Sequence, residues 1–566
     1  MSTTEYDREV CRMQDAETVL NVIRERGERG LPLENIYRLL YNRNLYLRAY
    51  GHLYSSQGAM TKGTTAETVD GMSLAKIDRI IDALRHERFR WTPVRRVNIP
   101  KSNGATRPLG IPTWTDKLLQ EVIRMILEAY YEPQFSDQSH GFRPGRGCHT
   151  ALSEVVNTWK GTRWFVEGDI KGCFDNIDHD VLLSVLGEQL HDNRFLRLLK
   201  YLLKAGYVED WKYGRTLSGT PQGGVVSPIL SNIYLDRLDK YVENDLIPAH
   251  TRGTGRRRNR PYEQLRSRAV RHRRAGNHHL ALQLRKQMRQ LPSRDPCDPG
   301  YRRLRYVRYA DDFVLGFIGP KAEAEQIRES LETFLRDSLK LELSREKTLI
   351  THAASRAAKF LGYELTNQQA NDKLDHRGRR SVNGCIGLRV PAKVIEQHCR
   401  AYIKNGKPVH RSVLIHDEDY SIVDRYQSEF RGVVEYYRLA LNVSRFGRLQ
   451  WVMSQSLAKT LAAKHKTTCR KIVRRHRSTV HTEHGERVCL KVVKERGDGR
   501  RPLVTQFGGI SLKRNRHAVL IDRQPQRYRT ERNELVKRLL ANKCEMCEST
   551  VDVEVHHVRA LRDLHV

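Results

Sequence analysis

Two adjacent aspartates, Asp311 and Asp312, lie between two apolar stretches in RYVRYADDFVLG, residues 305–316. Because the residues of a strand alternate between its two faces, adjacent carboxylates converge only where the chain turns. Two carboxylates held together repel each other unless a cation lies between them. A divalent metal ion and a pair of arginines are two candidate cations. The alternative is an ordinary polar hairpin tip that binds no cation.

A third acid has a similar setting. Asp169 ends the apolar run of RWFVEGDIKGCFDNIDHD, and Phe174 follows it five residues later. Asp169 together with Asp311 and Asp312 would offer the oxygen ligands that Mg²⁺ prefers. Two such ions would activate a 3′-hydroxyl and stabilise charge on the attacked phosphate and its leaving pyrophosphate. The alternative for Asp169 is a polar turn residue at the end of a strand.

The charge balance of the 566-residue chain indicates a polyanionic partner. Lys and Arg number 100 and Asp and Glu 66, which gives a formal net charge of +34 at pH 7. Many of the basic runs are rich in Arg, which favours phosphate recognition because guanidinium binds phosphate through paired hydrogen bonds. Nucleic acid is therefore the expected partner, and a ribosome-like or membrane-surface protein is the alternative.

Apolar content and cysteine spacing further limit the class of protein to which the chain can belong. A hydrophobic content of 39% is typical of a globular protein rather than a disordered one. No apolar stretch approaches the roughly 20 residues of a membrane span, and MSTTEYDREV lacks a signal-peptide core, so no membrane partner is expected. Ten cysteines, mostly scattered singly, predict a reducing, cytoplasmic environment rather than a disulfide framework.

The elements that must position these acids alternate between helical and strand patterns. Residues 1–90 have apolar residues mainly at helical spacing, and strand-like VRRVNIPK and WFVEGDIKGCF are separated by helical DKLLQEVIRMILEAYY, which predicts an α+β fold. Residues 251–300 hold 14 Lys and Arg against three acids, which predicts an inserted basic helix outside the core, or a solvated, partly disordered insertion. From about 390 to 480 the pattern is helical again.

Several segments follow one another in a recognisable order: NIPKSNGATRPLGIPT, HGFRPGRGCHTAL, DIKGCFDNIDH, GTPQGGVVSPILSNIYLDRLD, YADD, LSREKTLI and KFLGYEL. This order resembles the successive motifs of reverse transcriptases. More narrowly, it resembles a group II intron-encoded reverse transcriptase/maturase over roughly residues 35–530. The resemblance implies an α+β right-hand polymerase with an antiparallel sheet in its fingers and palm, followed by an α-helical thumb and a basic C-terminal segment.

The family pattern also implies how the chain is divided. The expected parts are an N-terminal extension with a template-binding loop (1–90), reverse transcriptase fingers and palm (91–370, with 251–300 as the insertion), a thumb or maturase domain X (385–480), a DNA-binding segment (481–535) and a partial HNH endonuclease domain (536–566). In the thumb segment, Tyr436 and Tyr437 could stack on unpaired bases, and packing in the core is the favoured alternative.

The resemblance carries roles onto single residues. Asp169, Asp311 and Asp312 match the family's catalytic aspartates, which implies that they bind two Mg²⁺ ions. Lys101 and Arg107 match the fingers residues that grip the incoming deoxynucleoside triphosphate, and cations six residues apart across a glycine-containing loop suit a polyphosphate. An exposed basic hairpin is the alternative for that pair.

Further positions surround the expected nucleotide. Phe174 matches the ring that closes against the sugar, where it would collide with a 2′-hydroxyl and so select deoxynucleotides. The alternative is a core phenylalanine, which would not select between nucleotides. Gln222 matches the turn beneath the templating pair, where its glycine neighbours permit close backbone approach. Lys347 matches a lysine beside the pyrophosphate, and an ordinary surface lysine is its alternative. The residues expected to contact the RNA template are Gly141, Phe142 and Arg143.

The end of the chain, NKCEMCESTVDVEVHHVRALRDLHV, resembles the start of an HNH endonuclease domain. Cys544 and Cys547 supply two zinc ligands where a closed tetrahedral site needs four, so zinc binding there is only a secondary expectation. The family pattern makes His557 a general base and His556 its partner. Because the second half of that domain would lie beyond Val566, no competent nuclease is expected.

The function that the resemblance implies is RNA-directed DNA synthesis joined to splicing. Such a protein binds its group II intron RNA, assists splicing, and copies the intron into DNA by target-primed synthesis with deoxynucleoside triphosphates. Three alternatives stay open: a splicing cofactor on an idle polymerase fold, a reverse transcriptase of retron, diversity-generating or defence-linked lineage, and a protein that is first a DNA endonuclease. Monomer and dimer both stay open.

Overall fold

The computed structural model describes residues 15–56, 58–100, 104, 106–209, 212–214, 219, 223–344, 346–378, 380–483, 485–496, 500–521 and 534–556. Its α-helices are α1 Ala16–Glu28, α2 Ile36–Leu39, α3 Arg43–Leu53, α4 Leu74–Arg85, α5 Trp114–Tyr131, α6 Cys148–Thr158, α7 Cys173–Asn176, α8 His179–Gly187, α9 Asn193–Leu203, α10 Ser227–Tyr241, α11 Ile247–Ala249, α12 Arg260–Arg274, α13 His278–Gln290, α14 Lys321–Leu339, α15 Ala392–Arg400, α16 Asp419–Tyr436, α17 Gly447–Lys464, α18 Cys469–His476 and α19 Glu534–Ala541.

The strands are β1 Leu33–Glu34, β2 Val94–Pro100, β3 Thr106–Ile111, β4 Trp164–Asp169, β5 Leu190–His191, β6 Tyr207–Glu209, β7 Lys212–Gly214, β8 Arg303–Tyr309, β9 Asp312–Ile318, β10 Ile350–His352, β11 Ala358–Phe360, β12 Tyr363–Asn367, β13 Ile386–Arg389, β14 Ile403–Lys404, β15 Lys407–Pro408, β16 Arg477–Thr482, β17 Gly485–Lys494 and β18 Leu503–Gly508. Short 3₁₀ turns span Glu132–Gln134, Ser412–Leu414 and Val443–Phe446, and a π turn spans Val242–Leu246.

A four-stranded antiparallel sheet, ordered β10-β4-β9-β8, separates two hydrophobic cores. Successive residues of its strands point to opposite faces, so Val166 packs in the first core and Phe165 in the second. Phe313 and Val314 divide between the two cores in the same way. Both faces of the sheet are thus covered, and the predicted mixed fold with an antiparallel sheet is confirmed.

Helix α5 forms the centre of the first core. Its residues are buried almost all round, which is typical of a helix enclosed by other elements. Helix α1 packs so closely on it that a Cβ added at Gly27 would overlap the backbone of Tyr130. The first core therefore includes both the helices before residue 90 and the reverse-transcriptase-like region that follows.

The basic insertion folds as two helices rather than the single helix that its sequence predicts. Helix α12 ends before Gly276, whose φ of 80° is the left-handed conformation that commonly terminates helices. Helix α13 then packs on α12 through the buried side chains of Ala269, Ala281 and Leu284. Because most other side chains of this pair are exposed, the insertion presents its arginines to solvent.

A three-stranded sheet, β16-β17-β18, covers helix α16 in the second core. Phe507 of β18 packs against the rings of Tyr426 and Phe430. The Gln427 side chain forms hydrogen bonds with both the amide and the carbonyl of Gly508. The predicted boundary at residue 480 falls inside β16, and the three strands pack against the helix before them.

The C-terminal segment packs on the N-terminal region. Val536 and Leu539 of α19 are buried in the first core, and the backbone of Val555 pairs with that of Met72. Within the described ranges, no helix combines the length and apolarity needed to cross a membrane.

Candidate active site

The turn between β8 and β9 brings the predicted acids to the edge of the central sheet. Asp169, the last residue of β4, lies opposite Asp312, the first residue of β9. Ala310 and Asp311 form the two-residue turn, and Ala310 has a φ of 55°, a conformation that tight hairpins require. The adjacent carboxylates converge because the chain reverses at them, as the sequence predicts.

The three carboxylates lie close enough to alter one another's ionisation. Burial, the Asp311 charge and the Asp169 charge together raise the pKa of Asp312 to about 7. Burial also raises the pKa of Asp311, partly opposed by the positive charges of Arg107 and Lys347. Such repulsion between partly buried carboxylates favours binding of a cation.

Lys347 supplies part of that positive charge. Its Nζ lies 2.7 Å from Oδ2 of Asp169, and this hydrogen bond raises the pKa of the ammonium group. The sequence prediction placed Lys347 beside the phosphate chemistry, and the structure brings it to the first of the three acids.

The donor set fits Mg²⁺, although the side chains are not arranged around a shared centre. Among the described residues, no three His, Cys, Asp or Glu side chains form a cluster with metal-site geometry. Asp169 accepts a hydrogen bond from Lys347, so an ammonium group occupies one of its carboxylate oxygens. Carboxylate oxygens of this kind are the ligands that Mg²⁺ takes in proteins.

A cavity of about 410 Å³ opens beside these acids, lined by Asp169, Asp312, Lys347, Leu361 and Gly362 among others. The last two form the turn between β11 and β12, and both have left-handed backbone conformations, with φ of 47° and 72°. The cavity is thus lined both by carboxylates and by a turn whose two residues have left-handed backbone conformations.

Two tyrosines form hydrogen bonds with that turn. Tyr436 is the last residue of α16, and Tyr437 follows it. The Tyr436 hydroxyl donates to the carbonyl of Leu361 at 2.9 Å, and the Tyr437 hydroxyl donates to that of Gly362 at 3.2 Å. Tyr437 is buried and Tyr436 half-buried, and both rings pack near Tyr363. Their contacts are those of core residues, the favoured interpretation of the sequence, and they also join the C-terminal helices to the cavity.

A buried arginine behind the hairpin was missed by the sequence reasoning. Arg308 is fully buried and forms an ion pair with Asp239, its Nη2 lying 2.5 Å from Oδ2. Its guanidinium also donates to Asn232 Oδ1, Ser139 Oγ and the carbonyl of Ala310. The only local signal was an arginine inside an otherwise strand-like run, which gives no indication of its distant partner.

The segment around Gly141 packs against the hairpin. A Cβ at Gly141 would overlap the backbone nitrogen of Ala310, so this position accommodates only glycine without a shift. Phe142, with a φ of 60°, is 41% exposed, and its ring meets that of Phe174 edge to face at 6.2 Å between centroids. Of the predicted template-binding residues, Phe142 is thus the one that faces solvent.

Arg143 is buried instead. Its guanidinium pairs with Glu132 and donates to the carbonyls of Ser136 and Ser139. Since these partners occupy the side chain, the structure gives Arg143 a role in shaping the loop. This differs from the direct template contact that the motif implies, because a motif does not reveal which way a side chain points.

The predicted nucleotide-binding residues are only partly described. Lys101 and Gln222 lie outside the described residues. Arg107 is exposed on β3, opposite Ile99 of β2, and its charge acts on Asp311. Gly223 has a φ of 101°, and a Cβ there would lie 2.7 Å from the Gly110 carbonyl oxygen, so the turn requires glycine at this position.

The C-terminal cysteines have no further metal ligands among the described residues. Cys544 is partly exposed, and hydrogen bonds from the backbone amides of Cys547 and Met546 lower the pKa of its thiol. His556 pairs with Glu554, and His557 lies outside the described residues. The expectation of zinc therefore gains no support.

Comparisons with known proteins agree with the geometry. Residues 99–365 match the family described as reverse transcriptase (RNA-dependent DNA polymerase), and residues 392–505 match type II intron maturase. The chain is 39% identical over 556 residues to the group II intron-encoded protein LtrA of Lactococcus lactis subsp. cremoris, covering 94% of this chain and 90% of that protein.

More distant relatives are also found. The COX1/OXI3 intron 1 protein of Saccharomyces cerevisiae is 32% identical over 549 residues, covering 93% of this chain and 64% of that protein. The telomerase of Candida albicans, solved with a fragment of telomeric RNA, aligns with a TM-score of 0.33 at 11% identity over 69% of this chain and 63% of that one, a likeness too weak to build on. The near-complete match to LtrA is decisive, and this chain belongs to the group II intron-encoded proteins, with a reverse transcriptase domain followed by a maturase domain.

Proposed function

We propose that this chain is an RNA-directed DNA polymerase that binds its group II intron RNA, assists splicing, and copies the intron into DNA at a nicked target. The observation that carries the polymerase assignment is the pairing of Asp169 with Asp312 beside an open cavity that also holds Lys347. The reverse transcriptase and maturase matches support the two halves of the activity.

In the polymerase reaction, a primer 3′-hydroxyl attacks the α-phosphate of a deoxynucleotide and pyrophosphate leaves. Asp169, Asp311 and Asp312 would hold two Mg²⁺ ions, which supply Lewis-acid stabilisation of the charge on the reacting phosphate. Lys347, already placed beside Asp169, would provide a positive charge or a proton to the leaving pyrophosphate.

The remaining motif residues would bind the substrates. Arg107, with Lys101, would clamp the triphosphate from the exposed β2–β3 hairpin. Phe174 would pack on the sugar and exclude a 2′-hydroxyl, and Gln222 would lie under the templating pair. Exposed Phe142, beside Phe174, would contact the template, and Gly141 and Arg143 would act by shaping its loop.

The rest of the right-hand architecture follows from the same assignment. The central sheet would be the palm, the β2–β3 hairpin part of the fingers, and α16–α18 the thumb. The exposed arginines of α12 and α18 and the exposed Lys286 of α13 are suited to the phosphates of intron RNA, so binding should weaken steeply with salt. The C-terminal region from 481 would contribute to target DNA binding. The proposed location of this activity is the cytoplasm.

Primer extension on an RNA template with deoxynucleotides and Mg²⁺ tests the polymerase assignment. We expect Asp311→Ala to reduce extension by at least about a hundredfold, because the lost carboxylate contributes several kcal/mol to transition-state charge stabilisation. Asp337→Ala, which removes an exposed acid of α14, is the matched control and should extend normally.

The outcomes separate the polymerase from its main alternative. Binding of intron RNA by Asp311→Ala with lost extension would support the proposal. A wild-type chain that binds and splices an intron without extending a primer would instead indicate a splicing cofactor on an idle polymerase fold. Extension that survives in Asp311→Ala would mean that the reaction occurs elsewhere.

A further inference from the structure

A second cavity lies where α6, β13 and the segment after β18 meet. Its volume is about 400 Å³, and its lining includes Asn157, Gln368, Lys373, Arg514 and Arg516. None of the described residues that line it is acidic. A cavity with three cations and no carboxylate is suited to an anionic ligand.

The protein holds one of these cations, Arg514, in place through its backbone. Arg514 Nε donates to the carbonyl of Leu439 at 2.9 Å. The Asn515 amide donates to the carbonyl of Arg438, whose guanidinium in turn donates to the carbonyl of Ser511. Residues 511–515 are therefore fixed to the segment that follows α16, and Arg514 is positioned before any ligand arrives.

Arg514 and Arg516 repel each other at this position. Arg514 is only half exposed, and both its burial and the charge of Arg516 lower its pKa. Two guanidinium groups kept together at an electrostatic cost are stabilised when an anion binds between or beside them. The cavity that both arginines line supplies the space for that anion.

A neighbouring cavity extends the same surface. Its volume is about 390 Å³, it shares Gln368, Lys373 and Val382 with the first, and it adds Arg356. Again none of the described lining residues is acidic. Two adjoining cavities that share a lysine provide more than one place for an anion, which favours a chain of phosphates over a single small ion.

We propose that these two cavities bind neighbouring phosphates of a nucleic-acid strand through Arg514, Arg516, Lys373 and Arg356. The proposal rests on the proposed function and adds a location: a surface shared by α6 of the reverse transcriptase match and the segment beyond residue 505, where the maturase match ends. Intron RNA and target DNA both carry the required phosphodiester, and the test below distinguishes them.

The test measures how affinity depends on salt for two probes, a group II intron transcript and a DNA duplex of the same length. Each lost phosphate contact should make the slope of log K against log salt shallower by about 0.7–0.9. Arg514→Gln/Arg516→Gln should therefore shift the slope by about 1.4–1.8. A shallower slope with the transcript assigns the site to RNA, and a shallower slope with the duplex assigns it to DNA.

The matched control is Arg328→Gln/Arg336→Gln on α14, which removes the same net charge from another part of the surface. Its slope should stay within error of the wild type. Arg514→Lys/Arg516→Lys should restore the slope, because lysine keeps the charge. An equal change of slope in the control variant would overturn the proposal. A slope that the lysine variant does not restore would also overturn it.

A second double variant tests the proposal without changing the contacts that fix residues 511–515. Lys373→Gln/Arg356→Gln changes two exposed side chains and should produce a similar shift in slope even where the first variant fails to fold. Unchanged slopes for both probes in a folded variant would overturn the cavity assignment alone. Absence of salt-dependent binding by the wild-type chain would overturn the proposed function as well.

Discussion

Arg308 and Asp239 form a fully buried ion pair, with Nη2 2.5 Å from Oδ2 and Nε 2.8 Å from Oδ1. The same guanidinium donates to the carbonyl of Ala310, the residue that begins the turn of the acidic hairpin. One side chain therefore joins the protein interior to the position of Asp311. Because a charge left alone in the core is costly, this relationship leads to a first prediction about stability.

We expect Asp239→Asn to lower the free energy of unfolding by about 3–5 kcal/mol, because it leaves the Arg308 guanidinium buried without its counter-charge. Urea unfolding measures this change. The control is Asp337→Asn, which breaks the exposed pair with Arg336 and should leave the free energy of unfolding nearly unchanged. Equal effects of the two substitutions would contradict the prediction.

The tyrosine contacts lead to a prediction about the link between the two domains. Tyr436→Phe/Tyr437→Phe removes the hydroxyls that hold Leu361 and Gly362, each hydrogen bond contributing about 1 kcal/mol. We expect primer extension to fall up to about tenfold while intron RNA binding is kept. Tyr201→Phe, on an exposed ring of α9, is the control. Full extension by a destabilised double variant would show that the hydroxyls serve stability alone.

The position of Phe174 beside Phe142 leads to a prediction about sugar selectivity. Phe174→Ala should raise incorporation of ribonucleotides relative to deoxynucleotides by at least about tenfold, since the ring that would exclude the 2′-hydroxyl is gone. Phe174→Tyr keeps a ring at the same place and should stay selective. The measurement is single-nucleotide extension with each substrate. Unchanged selectivity in the alanine variant would make Phe174 an ordinary packing residue.

His140 leads to a prediction about pH. Burial, followed by the charges of Arg146 and Arg143, lowers its pKa from 6.5 to about 3. The unfolded chain takes up this proton near pH 6.5 and the folded chain only near pH 3, so stability falls as the pH is lowered between these values. At pH 5 the loss should be about 2 kcal/mol.

Urea unfolding at pH 7 and pH 5 tests this prediction. His140→Gln should reduce the difference in stability between the two pH values. His279→Gln, which changes an exposed histidine of α13, should leave that difference as it is in the wild type. A His140 variant that keeps the full pH dependence would show that another group is responsible.

Local patterns indicated that the aspartates lie together, but they did not indicate the buried contacts behind the hairpin. Asp169 and Asp312 were identifiable because each ends or begins an apolar strand, a signal contained in a few residues. Arg308 and Asp239 were missed because their contact depends on how α10 lies against β8, which no local pattern specifies. The family pattern implied a DNA-binding segment from residue 481 and gave no strands there. The many charged residues of β16–β18 obscure the alternation that places Leu490 and Val492 in the second core.

The packing of residues 536–555 on the helices before residue 90 has a consequence for biosynthesis. Val536 and Leu539 fill part of the core built by α1–α5, and Val555 pairs with Met72. Domains usually fold as they leave the ribosome, starting from the N-terminus. The helices α1–α5 must therefore wait for residues 536–555 to complete their packing. The N-terminal region reaches its final stability only after these residues have left the ribosome.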